Sequence, residues 1–220
     1  YTSGTTGTPK GVMLSHQNIL SNAKACARMF QNGDRAMGID HRALSFLPLS
    51  HVYERMVTYN FQLSGLSLYY IENLGSLITD IKTIKPHVFN TVPRLLEKIY
   101  DKVIGVGDDL KGFKRVLFDQ AVKFTQKYEI GIKYNILDRI KYRFFDKTVY
   151  QKWRDILGGE VFYMVSGGSA LQLKIHQFFW TANIRVYEGY GLTETSPVVF
   201  VNNPTDDQYV KLGTVGPVVD

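Results

Sequence analysis

Apolar residues fall along this chain in two alternating spacings. Short, nearly continuous apolar runs bounded by Gly, Pro or polar clusters mark strands: "ALSFLPL", "LSLYYI", "HVFNTV", "VFYMVSGG" and "IRVYEGYG". A further strand is predicted at "GVML", directly after the opening loop. Between the strands the spacing changes to that of helices. Ser15 is placed to cap a helix running from about His16 to Phe30, with Gly33 just past its end. "HVYERMVTYNFQL" is stopped by Gly65, "LITDIKTIK" is halted by Pro86, and "RLLEKIYDKVI" begins behind Pro93, in a first turn that tolerates proline. "LQLKIHQFFW" is the last helix. From about Leu110 to Leu157 the pattern is helical throughout, broken near Gly131 and Lys147. This alternation predicts an α/β fold, a mostly parallel, doubly wound sheet with helices on both faces. In such sheets ligands bind at the carboxyl ends of the strands. The polar stretches "SGGSA" and "GYGLTET" each follow a strand.

Composition narrows this picture. A chain of 220 residues with 45% hydrophobic residues suffices for one large domain or two small ones. No apolar run approaches the ~20 residues a membrane span needs. The single cysteine, Cys26, cannot form an internal disulfide, and no Cys/His spacing suggests zinc, so a cytoplasmic setting is expected. The net charge of +6 is uneven. Between Lys111 and Arg154 stand twelve lysines and arginines against four acids, a local +8. They are interleaved with Phe113, Phe118, Phe124, Tyr134, Ile140, Phe144 and Phe145. The pattern suits peripheral docking on an anionic inner membrane surface; the competing reading makes the aromatics core and the lysines a solvated face.

Two stretches carry the candidate chemistry. "YTSGTTGTPKG" holds Gly4, Gly7 and Gly11, whose backbone can turn tightly and bring N–H groups to a ligand. Thr2, Ser3, Thr5, Thr6 and Thr8 add hydroxyls and Lys10 adds a point charge, an arrangement suited to polyphosphate. It is not a Walker loop, because the glycines are three apart and Lys10 precedes a glycine. In "YEGYGLTETSP", Gly189 and Gly191 flank Tyr190, leaving its ring free to lie over a flat ligand. Glu194 beside a phosphate cradle requires a cation, and Mg²⁺ accepts one carboxylate together with phosphates; alone, Glu194 is an exposed glutamate at a strand end. "SGGSAL" is an anion nest or a strand-to-helix turn, and the turn is the better reading of those residues by themselves. His51 in "LPLSHVYER" is a helix cap or a reactive group.

These motifs resemble those of the adenylate-forming family of acyl-CoA synthetases, peptide-synthetase adenylation domains and luciferases. "YTSGTTGTPKGV" is similar to its phosphate loop and "YGLTET" to its adenine- and magnesium-binding motif, while "LPLSHVYER" resembles the version found in long-chain fatty acyl-CoA synthetases. The resemblance implies the large N-terminal domain of such an enzyme, in part. Residues 1–40 would be the phosphate-loop hairpin and the helix ending one α/β subdomain; 41–200 a second α/β subdomain with a helical insertion at about 110–157; 201–220 the start of a β-rich subdomain. It implies ATP bound by Thr2, Ser3, Gly4, Thr5, Thr6, Gly7 and Lys10 at the β- and γ-phosphates. Gly168, Ser169 and Ala170 would lie on one face of the adenine, Tyr190 on the other, and Glu188 and Gly189 at its edge, with Gly191 also among the ATP-binding residues. Thr193 would reach the α-phosphate, Glu194 would bind Mg²⁺, and His51 would sit near the substrate carboxylate and the acyl tunnel. Lys10, His51, Thr193 and Glu194 form the implied catalytic set. The family's ribose-binding aspartate and its C-terminal lysine are expected beyond Asp220, and these 220 residues alone are expected to be inactive.

The implied reaction is ATP-dependent activation of a long-chain fatty acid to acyl-adenylate and then acyl-CoA, with CoA as co-substrate. Two alternatives stand beside it. One is a fatty acyl-AMP ligase or adenylation domain that passes the acyl group to a carrier protein; the other is a nucleotide-binding or membrane-docking module without turnover. No nucleic-acid partner is expected, and chain length and oligomeric state are left open.

Overall fold

The computed structural model describes residues 2, 7–30, 37–203 and 210–219. Its strands are β1 (Arg42–Ser45), β2 (Ser67–Tyr70), β3 (Val88–Thr91), β4 (Tyr163–Ser166), β5 (Arg185–Gly191) and β6 (Val198–Val201). They form one sheet in the order β2-β1-β3-β4-β5-β6, with β1 to β5 parallel and β6 antiparallel to β5. The expected α/β class is the observed one. Chain order reverses around β1: β2 lies on one side of it and β3 on the other. The carboxyl ends of β1 and β3 therefore flank the switch point where open α/β sheets hold ligands.

Among the described residues, eight α-helices connect and cover the strands: α1 (His16–Phe30), α2 (Val52–Leu63), α3 (Leu77–Ile84), α4 (Pro93–Asp108), α5 (Gly112–Thr125), α6 (Ile136–Phe145), α7 (Gln151–Ile156) and α8 (Leu173–Thr181). Local chemistry sets their ends. Ser15 Oγ accepts the Asn18 N–H at 3.1 Å, and Asn18 Oδ1 accepts the Ser15 N–H at 3.0 Å, a reciprocal cap for α1. Lys85 ends α3 in the left-handed conformation, at φ 50°, just before Pro86. Pro93 starts α4, where no intrahelical donor is lost. A π-helical turn, Asp146–Tyr150, joins α6 to α7 at the break expected near Lys147.

Strand alternation sends neighbouring side chains into two cores. Leu44, Phe89, Met164 and Val186 pack with α3, α4, α5, α7 and α8 on one face. Ala43, Val88, Tyr163, Val165 and Tyr187 pack with Phe61 of α2 on the other, and Ala23 and Cys26 of α1 meet Met56 of α2 behind it. No described helix is long and apolar enough to cross a membrane.

Two expectations need correction. "GVML" forms no strand: residues 11–14 lie outside any helix or strand, and Met13 is 98% exposed. A strand needs a ladder partner, and among the described residues only the bridge from Thr2 to Lys10 pairs there. The interleaved apolar residues of the basic segment divide. Phe118, Phe124 and Phe145 are core and Tyr134 packs against it, whereas Phe113, Ile140 and Phe144 are exposed. Side chains one apart on a helix point about 100° from each other, so adjacent Phe144 and Phe145 take opposite fates.

Candidate active site at the switch point

A cavity opens at the carboxyl ends of the strands and runs inward between the sheet and helices α1 and α2. Its rim is Pro48 and His51 after β1, Val92 after β3, Gly167 and Gly168 after β4, and residues 189–193 at the end of β5. Its interior is mostly apolar: Cys26 and Phe30 of α1, Met56, Val57 and Phe61 of α2, and Tyr163 and Val165 of β4. Six residues singled out in the sequence line it together: His51, Gly168, Gly189, Tyr190, Gly191 and Thr193.

Each of these has a local cause. His51 caps α2, its Nδ1 accepting the Tyr53 N–H at 3.3 Å. With Nδ1 taken as acceptor, the neutral ring carries its proton on Nε2, a donor left at the rim. Gly168 has φ +89° with open space where a Cβ would stand, a backbone that an L side chain rarely adopts. At Gly191 a Cβ would fall 1.8 Å from the Pro197 carbonyl oxygen, so the turn closes only around glycine. Tyr190 is 48% exposed and leans on Phe200 with ring centroids 6.3 Å apart. Glu194 lies one residue past the rim, exposed, with no hydrogen bond or ion pair among the described residues.

Other predicted residues stand elsewhere. Ser169 and Ala170 are exposed in the turn after β4 and do not line the cavity. Glu188 is buried beneath that turn: its Oε2 accepts the Leu171 N–H at 3.1 Å, and its own N–H donates to Asn202 Oδ1 at 2.7 Å. Glu188 Oε1 lies 3.2 Å from His176 Nδ1, whose ring donates from Nε2 to the Val186 carbonyl at 2.7 Å. Its carboxylate thus braces the "SGGSAL" turn from below. Thr2 and Lys10 exchange two backbone hydrogen bonds, of 2.9 and 3.1 Å, which close the loop between them; Lys10 and Gly7 are exposed. Ser3, Gly4, Thr5 and Thr6 lie outside the described residues.

Sequence reading missed the polar group in the cavity wall. Glu54 is 1% exposed; Ser45 Oγ donates to its Oε1 at 2.6 Å and Asn90 Nδ2 to its Oε2 at 3.3 Å. Burial outweighs these bonds and holds its carboxyl above the ordinary value. Next to it, the Tyr53 hydroxyl donates to the Val165 carbonyl at 3.0 Å, and its ring fills the space that a Cβ on Gly167 would need. A signal existed: Asn90 interrupts a fully buried strand, and a buried amide needs a partner. Burial also pushes the Cys26 thiol up to about 12, so it serves as an apolar wall.

Among the described residues no three His, Cys, Asp or Glu side chains gather as a metal cage. A lone unpartnered carboxylate at a rim with hydroxyls fits instead a hard cation shared with phosphate oxygens. The arrangement can thus take up an apolar group in the cavity and present its polar end to a charged ligand at the rim.

The family model for AMP-binding enzymes matches residues 1–220, and the chain belongs to that family. It is 34% identical over 222 residues to long chain acyl-CoA synthetase 4 of Arabidopsis thaliana, covering 100% of this chain and 32% of that protein. It is 35% identical over 218 residues to long-chain-fatty-acid–CoA ligase 5 of Rattus norvegicus, covering 97% of this chain and 30% of that one. The chain thus spans about a third of these curated relatives. Among solved structures it is similar to the N-terminal domain of FACL13 from Mycobacterium tuberculosis, with a TM-score of 0.61 at 20% identity over 98% of this chain and 41% of that one. A second is o-succinylbenzoate coenzyme A synthetase from Bacillus subtilis in complex with ATP and magnesium ion, with a TM-score of 0.59 at 17% identity over 99% of this chain and 34% of that one. These structural likenesses establish the shared fold.

Proposed function

We propose that the protein carrying this chain joins ATP and a long-chain fatty acid into an acyl-adenylate and passes the acyl group to the thiol of CoA. The observation that carries this reading is the cavity: mostly apolar, set at the switch point, and rimmed at its mouth by Gly189 and by residues 190–193 of the "YGLTE" motif. The long-chain acyl-CoA synthetases among its relatives support the substrate class.

The chemistry asks little of an acid or base. A fatty carboxylate is ionised at neutral pH; its oxygen attacks the α-phosphorus, and the bond to the departing pyrophosphate breaks. Both reactants are anions, so catalysis is positioning and charge neutralisation. Met56, Val57 and Phe61 hold the acyl chain and exclude water. The Nε2–H of His51 donates to the carboxylate at the rim, and Thr193 donates to the α-phosphate. Tyr190 stacks on the adenine, with Gly168, Ser169 and Ala170 opposite. Thr2, Gly7 and Lys10, together with Ser3 to Thr6, hold the outer phosphates. Glu194 would hold Mg²⁺ with phosphate oxygens, and that ion supplies further neutralisation of the triphosphate. A peripheral seat on a membrane, where such a substrate partitions, belongs to the same reading.

Val57→Phe tests the acyl site. The larger ring should raise KM for palmitate roughly tenfold while leaving an eight-carbon acid little changed, since lost methylene contacts and overpacking fall on the long chain. An equal effect on both acids would remove the cavity from the acyl pathway.

A further inference from the structure

Helix α6 presents an apolar stripe that nothing in the described fold covers. Its inward face is well anchored: Phe145 packs edge-on against Phe124 at 5.6 Å, and Tyr142 stacks on Tyr134 at 5.9 Å. The opposite face carries Ile136, Leu137, Ile140 and Phe144, exposed by 79%, 70%, 60% and 48%. Ile136, Ile140 and Phe144 recur every fourth residue, so they form one row along the helix. Such a contiguous apolar surface on a soluble domain marks an interaction site.

Charge decides among the possible occupants. Arg139 and Arg143, also four apart, run beside the apolar row, with Lys141 toward its other side and Lys147 just past the helix. All four are exposed, and none is ion-paired among the described residues. The acids of this stretch are engaged away from that face: Asp138 Oδ2 accepts from Asn135 Nδ2 at 3.3 Å at the helix start, and Asp146 is ion-paired to Arg154 at 2.7 Å. The exposed face is thus apolar and basic with no compensating carboxylate. A second copy of the same face would oppose arginine with arginine, and a cover from an ordinary protein core would strand the cations. A lipid surface bearing anionic headgroups satisfies both halves at once, with the apolar row in the acyl boundary and the bases among the phosphates.

We propose that α6 is a membrane-docking helix, lying in the plane of an anionic leaflet on Ile136, Leu137, Ile140 and Phe144 and held there by Arg139, Lys141, Arg143 and Lys147. The geometry stands apart from the catalytic reading and rests on the proposed function only for the expectation that the substrate partitions into membranes.

The test is flotation of the full-length protein with vesicles of phosphatidylcholine alone, and of phosphatidylcholine with 30% phosphatidylglycerol in moles, at roughly 0.05 and 0.3 M salt. Binding to the anionic vesicles, weakened at high salt, is expected. Arg139→Glu with Arg143→Glu should lower the partition coefficient roughly tenfold or more. Ile140→Asp with Phe144→Asp should do the same, while circular dichroism and thermal midpoint stay at the parent values because these side chains are exposed. Equal binding to both vesicle types, or binding unchanged in both variants, overturns the proposal. So does light scattering that shows the Asp pair splitting a dimer that never floats. Fatty-acid-dependent pyrophosphate exchange, measured in parallel without vesicles, reports on the catalytic reading alone and should be the same in parent and variants.

Discussion

The buried carboxyl of Glu54 gives a sharp expectation, because its neighbours specify which protonation state the fold prefers. Its oxygens accept from Ser45 and Asn90, yet burial still raises its affinity for a proton. Asn90 Oδ1 is buried with no partner. Turning that amide over, a choice that heavy-atom positions leave open, lets Oδ1 accept the proton of a neutral carboxyl. Glu54→Gln mimics that neutral form: its carbonyl accepts from Ser45 and its N–H₂ donates to Asn90. Glu54→Leu fills similar volume but orphans two buried polar groups, at about 1–3 kcal/mol each. Ser45 can rotate its hydroxyl elsewhere, so the expected loss is about 2–3 kcal/mol, a fall of roughly 4–12 °C in Tm for a domain of this size. At the acid end of the pH range, where the raised proton affinity favours the neutral carboxyl, the Gln variant should stay within about 1 kcal/mol of the parent. A group whose folded-state proton affinity is raised contributes stability that is present at low pH and lost as pH climbs through the folded value. The parent should therefore lose stability as pH rises above the ordinary carboxylate range, the Gln variant should lose less, and the gap should move in favour of Gln. Thermal denaturation across that range is the assay. A Gln variant as unstable as Leu at every pH, or a gap that moves the other way, would show that the fold requires the ionised carboxylate and would refute the reasoning.

Other expectations follow from single contacts. Glu194→Gln in the full-length protein should slow pyrophosphate exchange on the order of 10²-fold, and should leave Tm unchanged because the side chain is exposed; undiminished exchange at limiting Mg²⁺ removes Glu194 from metal binding. Gly107→Ala should destabilise despite a gain of about 1 kcal/mol in helix propensity. The new Cβ would fall 2.1 Å from the buried Phe118 ring, which meets Trp153 edge-on, and overpacking of that kind costs about 1–3 kcal/mol; urea denaturation measures the net sign. Native Cys26 should resist iodoacetamide at pH 8 and react only on unfolding, since burial holds its thiol near 12; rapid alkylation of the folded protein would contradict its placement in the cavity wall.

Much of the architecture was legible because each element obeys a local rule. α1 begins behind Ser15, α4 begins at Pro93, and the helical insertion is interrupted at Gly131, as their residue types require, while near Lys147 the helix runs on through a π-turn. β6 escaped because it follows so closely on the "YGLTETSP" turn that its four residues lack a recognisable period, and their pairing with β5 is antiparallel. "GVML" misled in the opposite sense: propensity without a ladder partner makes no strand. Of the site, the glycines and Tyr190 were readable as motif residues, but the mostly apolar interior was not. Cys26, Met56 and Tyr163 come from three elements far apart in sequence, and only the packing of α1 and α2 on the sheet brings them together. Glu54 was hidden for a related reason. A charged letter on a helix normally means solvent, and its burial depends on Ser45 and Asn90 in two different strands.

The proposed reaction rests on a mostly apolar cavity that ends at a nucleotide rim, and fatty-acid-dependent exchange of pyrophosphate into ATP measures that junction directly. With the full-length protein and Mg²⁺, palmitate should drive exchange far better than acetate or an amino acid, and free CoA should then yield palmitoyl-CoA and AMP. Exchange driven equally by acetate, or no exchange with any carboxylic acid while ATP still binds, would contradict the claim that this cavity and this rim serve one reaction.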